Sequence, residues 1–171
     1  METIDIYDMA ARFHPSNKIH ETAIIYDCVT MGENNVIGPY TIIGSNGEIR
    51  GVQDFQGKVE LGSRNIISEL VTIQRPDKPD QVTKIGNNNI IMAHVHVGHD
   101  VQIGNGCEIC TGTILGGYAV VEDGAKLKLG VTLRNRKRVG KDALVGLGAA
   151  VVKDVMPETT VVGNPAKEYK K

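Results

Sequence analysis

Residues 85–115 read IGNNNIIMAHVHVGHDVQIGNGCEICTGTIL, with an aliphatic residue at every sixth position: Ile85, Ile91, Val97, Ile103, Ile109 and Leu115. Extended both ways, the count meets an apolar residue at each of 23 positions from Ile19 to Val151, except Pro79. Four residues after each anchor the side chain is usually small, as at Ala23, Val71, Val95, Cys107, Ala119, Ala125 and Ala143. A helix repeats its face every 3.6 residues and a strand every 2, so neither makes a six-residue beat over this distance. A solenoid does, because each hexapeptide turns one corner and sends one aliphatic anchor into a shared axis. The fold class is therefore all-β, a single winding of short parallel strands.

With three hexapeptides to each triangular coil, the stretch 85–156 supplies four full coils. Residues 1–18 lack the pattern and read as a cap, and 19–156 form the single repeat domain. Two Gly- or Pro-rich polar stretches, 47–58 and 74–84 (QRPDKPDQVTK), read as external loops. Pro157 ends the beat, leaving 157–171 as a tail. A net charge of −1 gives no global signal for nucleic acid. No stretch is apolar for long enough to span a bilayer. Acidic residues occupy the start of the chain where a leader would be basic, so the expected compartment is the cytoplasm. The three cysteines argue against a disulfide framework. Strand alternation sends Cys107 inward and Cys110 outward, so their CxxC spacing is not expected to hold a metal.

Three of the five histidines lie within MAHVHVGHD, residues 92–100. Val95 and Val97 point inward, so His94 and His96 project outward, and His99 with Asp100 falls at the next corner. An imidazole there can accept a proton from a hydroxyl or amine, and an adjacent carboxylate can orient it. Gly117, three hexapeptides further along, stacks one coil above His99, and its N–H could donate to an oxyanion. Corner glycines such as Gly116 and Gly117 also occur where positive φ is needed. Between residues 126 and 141, Lys126, Lys128, Arg134, Arg136, Lys137, Arg138 and Lys141 include no acid, which suits an anionic partner. No aromatic residue interleaves them, so that partner is not a nucleic acid. Lys137 takes a normally small inward position and predicts a local deformation of the coil.

The segments VELG (59–62), VTIQR (71–75) and NNNIIMAHVHVGHDVQIG (87–104) resemble the UDP-N-acetylglucosamine acyltransferases of lipid A synthesis. That resemblance implies a left-handed parallel β-helix, a homotrimer with clefts between subunits, His99 as general base, Asp100 as its support and Gly117 as oxyanion donor. It places His94, His96, Tyr118 and Arg75 at the acceptor, a sugar hydroxyl or amine, the sugar being nucleotide-linked. The donor would be acetyl-CoA, an acyl-CoA or an acyl carrier protein thioester, held by Lys126, Lys128, Arg134, Arg136 and Arg138. No permanently bound cofactor or metal is implied. Departures exist: the family's first-loop lysine falls at Gly51, beside Arg50, and two of its site histidines fall at Tyr118 and Arg134. Leu147 replaces a glycine that makes room for a long acyl chain, which implies a short one. The family's helical C-terminal domain is missing. Instead VVGNPAK (161–167) is similar to the ending of hexapeptide acetyltransferases and puts Lys167 near coenzyme A. Two other readings compete. His94 and His99 have the H-x4-H spacing of gamma-class carbonic anhydrases, whose third histidine would fall at Lys58 or Ser63. A non-catalytic scaffold is the other.

Overall fold

The structure, a computed structural model, describes residues 12–169. The chain winds as a left-handed parallel β-helix whose strands stack on three faces. The first face runs from Lys18–Ile19 through Ile90–Ile91 and Glu108–Ile109 to Thr160–Val162. The second includes Ile42–Asn46, Thr72–Arg75, His96–Val97 and Ile114–Leu115; the third includes Lys58–Leu61, Val82–Ile85, Gln102–Ile103 and Val120–Val121. Ile91 pairs with Ile109, Val97 with Leu115 and Ile103 with Val121, each partner lying three hexapeptides along. The anchors line the axis: Ile43, Ile67, Ile73, Ile91, Ile109, Leu115, Leu127 and Val145 have no exposed surface. Burying each such side chain is worth about 1.5–3 kcal/mol, so the repeated anchor supplies the fold's main driving force.

The corner geometry repeats as strictly as the anchors. Asn34, Tyr40, Arg64, Leu70, Asn88, His94, Asp100, Tyr118, Arg136 and Asp142 all have φ between 55 and 62°. Each is the third residue after an anchor. An L-residue there pays roughly 1–2 kcal/mol against the right-handed region. The winding imposes the conformation at these corners, so Asp100, Tyr118 and Arg136 form a column, one per coil.

Both external loops leave the corner between the second and third faces. They are shorter than the composition implied, spanning 47–57 and 76–81, because Gln74, Arg75 and Val82–Ile85 belong to strands. Ile43 pairs with Ile73, five hexapeptides along, and Ile73 with Val97, four along. The insertions thus add two hexapeptides and then one. The six-residue count survives across them by length alone, so Ile49 and Pro79 keep time without being anchors, while Phe55 is buried beneath its own loop. The loops stack on each other, Gln56 N donating to Asp77 O (2.9 Å) and Gly57 N to Pro76 O (3.1 Å).

The upper end differs from the expected stop at residue 157. The last turn is two residues short: Val155 bridges Val139, and Thr160–Val162 then continues the first face against Leu144–Val145. Lys167–Glu168 folds back antiparallel on Thr160–Val162. Lys137 does not deform the coil. Its carbonyl accepts from Val120 N (2.9 Å), and Arg138 keeps register with Val120 while the Lys137 side chain stays half-buried. The expected cap falls, through residue 11, outside the described residues; Phe13 packs into the lower end of the core.

One corner carries an amide ladder that hydrophobic periodicity does not reveal. Asn35, Asn65 and Asn89 occupy the small inward position and are fully buried. Asn65 Nδ2 donates to Asn35 Oδ1 (3.1 Å) and Gly86 O (2.9 Å), and its Oδ1 accepts from Asn89 N (2.9 Å). Asn65→Ala would leave the Asn89 N–H buried without an acceptor and is expected to cost on the order of 3 kcal/mol. Urea unfolding followed by circular dichroism measures that loss.

Candidate active site

His99 and Asp100 occupy the corner between the second and third faces. Asp100 N donates to the buried Thr83 Oγ1 (2.8 Å), and Asp100 Oδ2 lies 2.8 Å from His99 Nδ1. A carboxylate only accepts, so Nδ1 carries the hydrogen and Nε2 keeps its lone pair. The imidazole is clamped on several sides. Tyr118 N donates to His99 O (2.9 Å), and the Tyr118 ring meets the imidazole in a T-shape at 5.1 Å. The Arg136 guanidinium stacks 4.0 Å from the centre of the Tyr118 ring. Gly47, in the first loop, approaches so closely that a Cβ there would lie 2.9 Å from His99 Cβ.

Gly117 stacks above His99, as the three-hexapeptide winding requires. A Cβ at 117 would sit 2.5 Å from His99 Nε2, and one at Gly116 would sit 2.3 Å from Asn135 Oδ1. Neither glycine has positive φ, so close approach, rather than backbone conformation, demands them. Among the described residues Gly117 N has no hydrogen-bond acceptor. A Cβ on Gly98 would come within 2.9 Å of that nitrogen, so the bare Gly98 leaves it uncovered.

A pocket of about 390 Å³ opens onto this arrangement, lined by Glu48, Gln74, His96, Gly98, His99, Ile114, Gly116, Gly117 and Asn135. His96 Nδ1 and Thr72 Oγ1 share a hydrogen bond of 2.8 Å. Burial pushes the His96 imidazole below its usual range; Glu48 opposes this and His99 adds to it. An imidazole oriented by a carboxylate, an uncommitted N–H and a small pocket between them are what acyl transfer through an oxyanion needs. A wider groove of about 610 Å³ lies on the third face between Lys84, Gln102, Glu122 and Lys141, and no histidine lines it.

The expected site residues divide. His96, His99, Asp100, Gly117 and Tyr118 come together. His94 does not, because it sits exposed at the corner between the first and second faces, one strand away. Arg75 is buried beneath the first loop, its Nε donating to Asn46 Oδ1 (3.1 Å) beside the Cys28 thiol, so it braces that loop instead of lining the pocket. The basic run is likewise not one edge. Arg134 and Arg136, with the half-buried Lys137, share the His99 corner two coils above it. Lys126 lies on the first face, Lys128 pairs with Glu108 (2.5 Å), Arg138 pairs with Glu122 on the third face, and Lys167 sits in the returning tail strand. Glu48, Gln74, Ile114 and Asn135 were not foreseen. Asn135 could have been found by counting six hexapeptides on from His99; Glu48 and Gln74 reach the pocket beside the first loop, whose length breaks that count.

Cys110 lies off the core on the outer side, as expected, but is covered there, its thiol donating to Glu108 Oε1 (3.4 Å). Burial pushes both thiols of the CxxC up, Cys107 to about 11, so neither is poised for thiolate chemistry. No group of three or more His, Cys, Asp or Glu side chains arranged to hold a metal occurs among the described residues, and His94 and His99 occupy different corners. No helix among them is long and apolar enough to cross a membrane.

Comparison with known proteins agrees with this fold. Residues 83–117 match the family model described as bacterial transferase hexapeptide (six repeats). An acyl-[acyl-carrier-protein]–UDP-N-acetylglucosamine O-acyltransferase of Pseudomonas paraeruginosa is 40% identical over 111 residues, 64% of this chain and 43% of that protein. The chain thus spans about half the length of the curated relatives it matches. The crystal structure of a UDP-N-acetylglucosamine acyltransferase from Bacteroides fragilis superposes with a TM-score of 0.86 at 32% identity, covering 90% of this chain and 60% of that one. The Francisella novicida acyltransferase superposes at 0.71 and 32% identity, covering 91% and 68%. The chain therefore belongs to the hexapeptide-repeat family of these UDP-N-acetylglucosamine acyltransferases.

Proposed function

We propose that the protein moves an acyl group from a thioester donor to a hydroxyl or amine of a nucleotide-linked sugar. His99 Nε2 removes the acceptor's proton. The freed oxygen or nitrogen attacks the thioester carbonyl, and the Gly117 N–H donates to the oxyanion that forms. On collapse the C–S bond breaks, and the proton on His99 passes to the leaving thiolate. Asp100 holds the imidazole in the reactive tautomer and offsets the imidazolium charge. His96 walls the acceptor pocket, and Tyr118 packs edge-on against the base. The observation that carries this reading is the His99–Asp100 pair packed beneath the side-chain-free Gly117.

The relatives' names support an acyl carrier protein thioester as donor and a UDP-linked sugar as acceptor. Arg134 and Arg136 give the donor's phosphate or acidic surface a landing point above the base. The exposed Leu147, where the resemblance places a glycine, favours a short acyl chain. The outward apolar side chains of Ile24, Val36, Ile66, Ile90 and Ile114 suit burial against other copies in a homotrimer, in the cytoplasm. Incubation with a short-chain acyl carrier protein and UDP-N-acetylglucosamine should release free carrier thiol. A donor at ~100 Kd should also stabilise the fold by roughly 2.7 kcal/mol. Absence of both effects, with coenzyme A thioesters also tried, would leave the scaffold reading in its place.

The double variant Arg134→Ala with Arg136→Ala is expected to raise the donor KM on the order of tenfold, since both arginines are exposed and each exposed charge pair is worth about 0.2–1 kcal/mol. Initial rates at varied donor concentration measure this, and kcat should change far less.

A further inference from the structure

Glu48 is the one carboxylate or fixed cation lining the pocket around His99; the rest of the lining is glutamine, asparagine, glycine, isoleucine and the two histidines. It has no ion-pair or hydrogen-bond partner among the described residues, whereas Glu108 and Glu122 are both paired with cations. Its backbone is tethered beside the base, because its neighbour Gly47 packs against His99 Cβ and Arg75 O with no room for a side chain. His96, the other titratable group in the pocket, is half-buried and held by Thr72, with burial favouring its neutral form, so no protonated imidazole competes for the carboxylate. The Glu48 carboxylate is exposed at the mouth of the pocket; a ligand that enters covers it, and a covered carboxylate regains its lost hydration most fully from a cation.

We infer that Glu48 recognises an ammonium group on the acceptor, and that the transfer is N-acylation of an amino sugar. This rests on the acyl-transfer reading above. The amino group binds as ammonium against Glu48 and releases one proton to solvent. His99 Nε2 takes a second as the nitrogen attacks the thioester carbonyl. The C–N bond forms, the C–S bond breaks, and the thiolate leaves with the proton from His99. The balance is an amide, a free thiol and one released proton.

The test uses the full chain, an acyl carrier protein thioester, and two UDP-sugars that differ only in carrying an amine or a hydroxyl at the acceptor carbon. The wild type is expected to favour the amine at least about tenfold in kcat/KM, the value of one charge-assisted contact. Glu48→Gln should remove that preference by raising the amine's KM, leaving the hydroxyl's within about twofold. A wild type that favours the hydroxyl, or a variant that lowers both acceptors equally, overturns the inference while leaving acyl transfer standing. Release of no thiol with either sugar overturns acyl transfer itself and this inference with it.

Discussion

His99→Ala is expected to lower kcat/KM by about 10²–10⁴-fold, the usual contribution of a positioned general base. The geometry makes the loss specific to proton transfer. Asp100 Oδ2 engages Nδ1, so Nε2 is the nitrogen available to the acceptor, while His96, the other histidine lining the pocket, lacks a carboxylate partner and has its Nδ1 engaged by Thr72. The winding should persist in the variant, because Val97, Val101, Leu115 and Ala119, the buried residues around this corner, are untouched. Steady-state rates with thiol detection, alongside far-ultraviolet circular dichroism, check both halves. A folded variant with wild-type rate would remove His99 from the reaction.

Gly117→Ala should be almost as damaging, although it adds only a methyl group. Its Cβ would lie 2.5 Å from His99 Nε2 and 2.7 Å from Cε1, well inside contact distance. The ring cannot swing away freely, since Asp100, Tyr118 and Gly47 hold it on other sides. Either the imidazole turns off its Asp100 bond or the corner moves, and a displacement of ~1 Å at a reacting group costs about 10²-fold. Thermal unfolding should change little, because Gly117 anchors nothing in the core. A variant within a few-fold of wild type would mean that Nε2 does not act from this position.

The aliphatic beat made the coil legible, and the three-hexapeptide winding placed Gly117 over His99 before any coordinates. Both follow from one constraint: each anchor must reach the axis. The charges obeyed the same count but were read as a linear run. Successive hexapeptides face three directions, so Lys126, Arg134 and Arg138 diverge although they are near neighbours in sequence. His94 was misplaced for the same reason, belonging to the corner before its strand while His99 belongs to the corner after. Arg75 and Glu48 were harder. The first loop lies over one and carries the other into the pocket, and neither outcome follows from periodicity. The asparagine ladder escaped because its residues satisfy the small inward position while being polar. Only hydrogen bonding between coils explains their burial.

The backward-running segment at 167–168 bears on how copies of the chain meet. Cross-β growth proceeds by each ribbon templating another of the same sense on its bare rim. Here the terminal rung of one side is already occupied by a strand of opposite polarity, so a second molecule cannot simply resume the spiral where the first leaves off. Stacking end on end into filaments is thereby disfavoured, and lateral contact along the flanks is left as the open route to assembly.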